Sequence, residues 1–277
     1  MKVALVYDVA RWEERALLEA LKARGVSVEI FHTETFSFEL GRKAAEVALQ
    51  RSLSHAAALS STIALESGGT EVINNSRAIA TAHNKLWTLS LLHRQGIRVP
   101  RTYLALSERA ALSSSVALGF PLVVKPVDGS WGRLVSLAKE EETLRAIVEH
   151  RELMGDPRMK VHLLQEFVEK PGRDIRVFVV GDEVPVAIYR VSNHWITNTS
   201  RGGRAVPAPI DAELAELALK ASRAVGTEIA GIDVFESKEG LLVNEVNAVP
   251  DFRNTVAVTG YDLAGKMVEY LLGRARK

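Results

Sequence analysis

The chain has 277 residues, 47% of them hydrophobic and 25% charged, with a formal net charge of +1 and no cysteine. That length suits two or three small domains; the missing cysteines exclude disulfides, thiolate nucleophiles and thiolate metal sites, and the near-neutral charge argues against general nucleic-acid binding. No apolar run approaches the roughly 20 residues that span a bilayer, and Met-Lys-Val-Ala-Leu-Val-Tyr opens in a strand pattern instead of an export segment, so a cytoplasmic protein is expected.

In chain order, Lys2 to Tyr7 reads as a strand, Trp12 to Arg24 as an amphipathic helix closed by Gly25, and Val26 to Phe31 as a second strand. This β-α-β opening predicts a parallel α/β domain over residues 1–75. It lacks Gly-x-Gly-x-x-Gly, so it is no dinucleotide site by motif and is expected to support substrate. Asn74-Asn75-Ser76 predicts the cap of one long helix from Arg77 to Arg94, with Lys85 inside it. A central domain follows to residue 168. Its apolar strand ends in Lys125, and the loop Asp128-Gly129-Ser130-Trp131-Gly132-Arg133 offers backbone N–H groups as an anion nest. Most short glycine loops are plain turns; the lysine strand before this one and the acidic hairpin later in the chain are what favour phosphate here. After a helix from Glu140 to Leu153, the strand Val161 to Val168 carries Gln165, Glu166, Phe167 and Val168, where a ribose and an adenine edge could be received.

Residues 169–277 form the third predicted domain. Antiparallel strands Asp174 to Val180 and Val184 to Val191 carry Arg176 and Arg190, bidentate donors that fit a cleft for phosphates and carboxylates. His194 to Gly203, which contains Asn198, Arg201, Gly202 and Gly203, resembles a loop that closes over an anion. Helices Asp211 to Val225 and Asp262 to Arg274 complete the pattern. Between them, Gly231-Ile-Asp-Val-Phe-Glu-Ser-Lys-Glu-Gly-Leu-Leu-Val-Asn-Glu-Val-Asn247 folds on paper into a hairpin. With a three-residue loop Ser237 pairs with Leu241, and Asp233 then lies opposite Glu245. The two-residue side-chain period puts Asn247 on the same face. Two carboxylates and an amide oxygen, without His or Cys, suit a hard cation such as Mg2+.

Taken together, Lys85, Val-Val-Lys125-Pro, the glycine loop, Gln-Glu-Phe-Val, Asp-Ile-Arg-Val-Phe-Val-Val, Asn-Thr-Ser-Arg-Gly-Gly and Asp233 with Asn-Glu-Val-Asn247 resemble the ATP-grasp carboxylate-amine ligases over nearly the whole chain. The branch is that of RimK and LysX, and Glu169-Lys-Pro-Gly-Arg-Asp-Ile-Arg-Val-Phe-Val-Val-Gly181 and His194-Trp-Ile-Thr-Asn-Thr look closest to the ligases of amino-group-carrier lysine and arginine biosynthesis. The resemblance implies a three-domain α/β (α+β) ATP-grasp fold with ATP between the central and C-terminal domains. Lys85 and Lys125 would contact phosphates under residues 129–135, Gln165 to Val168 would hold adenine, and Asp174, Arg176 and Asn198 would lie nearby. Asp233, Glu245 and Asn247 would bind Mg2+, as two ions. Arg190 would stabilise developing charge, while Arg201, Gly202 and Gly203 hold substrate carboxylates.

In such ligases ATP phosphorylates a carboxylate and an amine attacks the acyl phosphate. The implied acid is the C-terminal glutamate side chain of the carrier protein LysW, and the amine is 2-aminoadipate or glutamate. Lys170, Arg173, Arg204 and Arg253 could meet the carrier's acidic tail, and relatives form homodimers or homotetramers. Where lysine-pathway members carry a segment resembling His-Thr-Met-Glu-Phe and arginine-pathway members Thr-x-Pro-Glu-Phe, this chain has Ala248, Val249, Pro250, Asp251 and Phe252, which leaves both amino acids open. Alternatives are a ligase that adds glutamate to a ribosomal protein or pterin cofactor, and a catalytically silent nucleotide-binding module.

Overall fold

A computed structural model describes residues 2–129, 132–197 and 202–276. Near the start, β1 (Lys2–Tyr7), α1 (Trp12–Ala23), β2 (Ser27–His32), β3 (Val47–Gln50), α2 (His55–Ser67) and β4 (Glu71–Ile73) build a parallel sheet of order β2-β1-β3-β4. Five of the six residues of β1 are buried, as a central parallel strand covered on both faces requires. Ser54 caps α2 by accepting from the Ala57 amide, and Asp8 at the end of β1 accepts from the Leu53 and Ser54 amides, which ties the β3–α2 loop to the β1 tip.

The predicted single helix over 77–94 is two helices, α3 (Ser76–His83) and α4 (Lys85–Arg94). Asn84 breaks it: at φ −92° and ψ 106° its backbone is extended, and its side chain accepts from the Trp87 amide as the cap of α4. Lys85 is therefore the first residue of a helix, and its amide reaches the Val127 carbonyl at 2.9 Å. Next come β5 (Thr102–Ala105), α5 (Glu108–Leu118), β6 (Leu122–Pro126), β7 (Ser136–Ala138), α6 (Glu141–Leu153) and β8 (His162–Glu166), whose strands form an antiparallel sheet of order β5-β8-β6-β7. Strand β8 ends at Glu166, short of the Val168 expected.

The last section contains β9 (Arg173–Val180), β10 (Glu183–Val191), β11 (Arg204–Pro207), α7 (Ala212–Val225), β12 (Ile229–Ser237), β13 (Gly240–Asn247), α8 (Arg253–Thr259) and α9 (Leu263–Arg274), with sheet order β11-β10-β9-β12-β13. The β12–β13 hairpin is tighter than expected: Ser237 pairs with Gly240, whose φ is +112°. Asp233 nevertheless faces Glu245, because the register shifts by one residue between Asp233 and Val234. The bulged residue is Asn244.

Its first and last sections share one core. Leu263, Met267, Val268 and Leu271 on α9 pack with Val3, Leu5, Leu17 and Leu21 and with Phe178, Val180 and Ile229. Each such side chain contributes roughly 1.5–3 kcal/mol through burial. Among the described residues no helix is long and apolar enough to cross a membrane.

Asn74 spans the same junction. Its Nδ2 donates to the carbonyls of Ile229 and Ala248, both at 2.7 Å, and its Oδ1 accepts from the amides of Glu228 and Ile229. Asn74→Ala strands buried backbone groups, each costing about 1–3 kcal/mol. Urea denaturation should show a loss of about 2–4 kcal/mol; a loss below about 0.5 kcal/mol would mean that the junction does not depend on this side chain.

Candidate functional site

Site geometry starts from a carboxylate that the sheet buries. Asp233, on β12, is 2% exposed, and the strands beside it bring two guanidiniums. Arg176 on β9 grips Asp233 through Nε and through Nη2 at 3.1 Å, and Arg190 on β10 places Nη2 at 2.9 Å from Asp233 Oδ2. Arg190 also binds Asp174 bidentately at 2.7 and 2.8 Å. Burial by itself would raise the Asp233 carboxyl, but Arg176 and Arg190 hold it below the usual range. Burial likewise works against the charge on Arg190, and Asp233 and Asp174 overcome it, so Arg190 stays a cation.

Beside this cluster two lysines face the hairpin. Lys85 Nζ lies 3.3 Å from Glu245 Oε1 and also donates to the Gly129 carbonyl. Lys125, at the end of β6, donates to Asn244 Oδ1 at 3.1 Å. The bulge at Asn244 thus turns two adjacent residues of one strand toward the same pair of lysines. Lys125 is 6% exposed. Burial, then the Lys85 charge, pushes its ammonium down to about 8 against the pull of Glu245 and Asp233.

A cleft runs between β6, β8 and the last sheet. Lys85, Lys125, Gly129, Gly132 and Arg133 line it from one side. Gln165, Glu166, Phe167, Val168, Asp174, Asp233 and Glu245 line it from the others. Glu166 and Gln165 are also pinned, by the Arg101 amide and by Thr102 Oγ1. Of the sequence-predicted residues, Ser130, Trp131, Asn198 and Arg201 lie outside the described residues, and Gly202 and Gly203 do not line the cleft.

Asn244, which the sequence did not single out, lines the cleft, as do Trp195 and Thr197 from the segment expected to close over an anion. Lys170, expected to meet the carrier's acidic tail, lines the cleft. Its Nζ binds Thr197 Oγ1 at 2.9 Å and stands 4.6 Å from the Phe235 ring centre. Glu236 holds the Arg173 guanidinium at 2.7 and 2.8 Å over Tyr189. Arg190 lies behind the cleft, so its contacts here fix Asp174 and Asp233.

A second cavity shares Gly129 and Glu245 with the first. Arg176, Asn247, Ala248, Val249, Pro250 and Asp251 line one side, and Ser52, Leu53, His55 and His83 another. His55 and His83 stack with ring centres 3.7 Å apart. Burial, and then the neighbouring His55, pushes His83 down to about 4. Phe252 departs from the rest of the predicted segment 248–252: it is 1% exposed and packs edge-on against Trp12 in the core. Its large apolar ring is worth more buried than in the wall.

A hard cation fits the donors in chemistry. Asn247 donates Nδ2 to the Gly231 carbonyl at 3.2 Å, which leaves its amide oxygen as the ligating atom. Asp233 and Glu245 pair directly across the ladder, and a carboxylate that accepts from arginine keeps lone pairs for a metal. Among the described residues no three His, Cys, Asp or Glu converge as a metal site, so these few ligands suit an ion that completes its shell with phosphate and water.

Residues 82–271 match the RimK-like ATP-grasp domain, and residues 3–81 match the LysX preATP-grasp domain. The chain belongs to the RimK-like ATP-grasp family. It is 43% identical over 280 residues to the α-aminoadipate–LysW ligase LysX of Sulfurisphaera tokodaii, covering 98% of this chain and 97% of that protein. It is 38% identical to the glutamate–LysW ligase ArgX of the same organism, covering 98% of each. The crystal structure of an ATP-grasp RimK domain protein from Sphaerobacter thermophilus superposes with a TM-score of 0.81 at 27% identity, covering 99% of this chain and 100% of that one. ATP-grasp ligase PsnB with a minimal precursor, Mg and ADP shares the fold, with a TM-score of 0.77 at 21% identity, covering 99% and 98% of the two chains.

A phosphate contact by Lys125, as expected from the sequence, would make ATP binding pH-dependent, because burial and the Lys85 charge push its ammonium down to about 8. ATP affinity of the free protein, measured calorimetrically, should therefore fall as pH rises through about 8, and Lys125→Arg should remove that inflection. The same inflection in both proteins would exclude Lys125 as its source. Stability runs the other way. The folded group releases its proton before the unfolded one, whose pKa is 10.5, so the cost of burying the ammonium is full below about 8 and declines as pH rises toward 10.5.

Proposed function

We propose that this chain is an ATP-dependent carboxylate-amine ligase that joins the α-amino group of 2-aminoadipate or glutamate to the C-terminal glutamate side chain of the carrier protein LysW. The observation that carries this reading is the wall that two cavities share. Gly129 and Glu245 line both the cleft that presents Lys85 and Lys125 and a second cavity walled by Ala248 to Asp251. A phosphoryl group in the first and an amine in the second would lie on either side of the same two residues.

The carrier carboxylate attacks the γ-phosphorus of ATP, the bond to the bridging oxygen breaks, and ADP leaves. The amine then attacks the acyl carbon, loses a proton and expels phosphate. Lys85 and Lys125 offset the charge on the transferred group, and the Gln165 to Val168 wall receives adenine, with Asp174 beside it. Asp233, Glu245 and Asn247 would hold Mg2+, proposed as two ions, which would supply charge stabilisation for phosphoryl transfer. Arg176 and Arg190 keep Asp233 ionised and fixed. Arg204 and Arg253 remain available for the carrier's acidic tail. We further propose domains over 1–75, 76–168 and 169–277, a cytoplasmic location and a homodimer or homotetramer, which light scattering would size.

Incubating the protein with ATP, Mg2+, carrier and each amino acid, then weighing the products, tests the reading. A gain by a ribosomal protein or a pterin and none by the carrier would favour the alternative ligase, and no ADP release with any acceptor would favour a silent nucleotide module. Glu245→Gln should lower kcat by roughly 100-fold or more while leaving the thermal transition in place, because a metal carboxylate acts mostly in the transition state. Near-normal turnover at saturating Mg2+ would overturn the metal assignment.

Substrate choice follows from the wall. Aminoadipate exceeds glutamate by one methylene, worth about 1–3 kcal/mol in a pocket. Among the lining residues Ala248, Val249 and Pro250 carry no charge to bridge a distal carboxylate, and Asp251 is held by Arg11. Specificity constants for the two acids should lie within about 100-fold of each other; a difference of several thousand-fold would identify the wall as a strict filter.

A further inference from the structure

The wall that carries Ala248 to Asp251 has no regular structure of its own, running between β13 and α8. What holds it comes from the other end of the chain. Asn74 binds the Ala248 carbonyl, Arg51 Nη1 donates to the Pro250 carbonyl at 3.0 Å, and Arg11 pairs with Asp251. Glu13 Oε1 accepts from the amides of Phe252 and Arg253 at 3.2 and 3.0 Å. On the opposite side Gly231 admits Pro250: a side chain there would put its Cβ 2.8 Å from that of Pro250.

Arg51 is central to this arrangement. It follows β3 directly, is 2% exposed, and does not line the cavity, although the next residue, Ser52, does. Its Nε donates to Glu14 Oε1 at 3.2 Å and its guanidinium stands 5.7 Å from the Phe252 ring centre. Nη2 has no hydrogen-bond partner among the described residues. A buried guanidinium with one idle N–H group is a poor device for stability, since desolvation offsets most of the ion pair. It is a good device for location. One rigid group joins the loop after β3, which supplies Ser52 and Leu53, to the carbonyl of the facing wall, so the width of the cavity follows the length of this side chain.

We propose that Arg51, backed by Glu14, is a positioning residue that sets the width of the amino-acid chamber and hence which side-chain length the ligase accepts. This rests on the ligase reading above. Arg51 touches no substrate; it acts through the Pro250 carbonyl and the Phe252 ring. Lysine can replace one of its donors but cannot span Glu14 and Pro250 together.

The test uses the full chain carrying Arg51→Met or Arg51→Lys, each first checked for a cooperative thermal transition. Expected are a rise in KM for both amino acids of about tenfold or more, a KM for ATP within about twofold of the original, and a changed ratio of specificity constants for aminoadipate and glutamate. Arg51→Lys should lie between the original and Arg51→Met. Hydrogen exchange at the Phe252 and Arg253 amides gives a readout independent of turnover: it should accelerate in both variants, while amides in β6 do not. Unchanged amino-acid KM values and an unchanged ratio in folded variants would overturn the proposal, as would unaltered exchange at those two amides. If the unmodified protein ligates neither amino acid, the ligase reading fails, and the exchange rates alone still decide whether Arg51 positions the wall.

Discussion

A carboxylate removed from water has to be neutralised, and the last sheet is arranged around that requirement. Asp233 sits in the middle of the strand order β10-β9-β12-β13, so its immediate neighbours supply the countercharges from two strands on one side and the cleft-facing residue Glu245 on the other. Arg176 and Arg190 cannot both reach it unless β9 and β10 hold their register, and Arg190 in turn fixes Asp174 at the floor of the cleft. Losing either arginine would leave an uncompensated buried charge, an expensive state, whereas the complete cluster is rigid. Asp233 is thus anchored to a network that is satisfied within the protein.

That network explains the division of labour among positive charges. Arg176, Arg190 and Arg173 are each paired with a carboxylate, and Lys170 is folded over Phe235 beside Asp174. Lys85 and Lys125 face the hairpin through weaker, longer contacts, with one carboxylate and one amide between them. Burial, and then the charge of Lys85, depresses the Lys125 ammonium.

Several features could be read along the chain because they depend on neighbours in sequence. Alternation in Gly231 to Asn247 placed Glu245 and Asn247 on one face, and the strand ending in Lys125 and the glycine turn after it are local patterns. Family resemblance identified the ATP-grasp fold from short motifs spread over the chain. The exact turn was not legible: Ser237 pairs with Gly240, and the bulge at Asn244 restores the facing of Asp233 and Glu245. Periodicity contains no term for a bulge, because the gain from turning Asn244 toward Lys125 lies on a different sheet. Asn84 could have been recognised as a second cap, since Asn disfavours helix interiors, but a long amphipathic run outweighs one residue in any local reading.

By itself, then, the sequence determined the types of donor, their order and the faces of the strands that bear them, all of which follow from the covalent chain and the two short periods of secondary structure. Only the tertiary structure decided which cations are already spent on carboxylates, that Phe252 belongs to the core, and that α9 closes over the first sheet. It also decided that Arg51, Glu13 and Asn74 grip a wall nearly 200 residues further on, Arg51 reaching Pro250 across a separation of 199. Such contacts leave no local trace, because the energy of a hydrogen bond or ion pair depends on distance in space and burial, and neither is a function of distance along the chain.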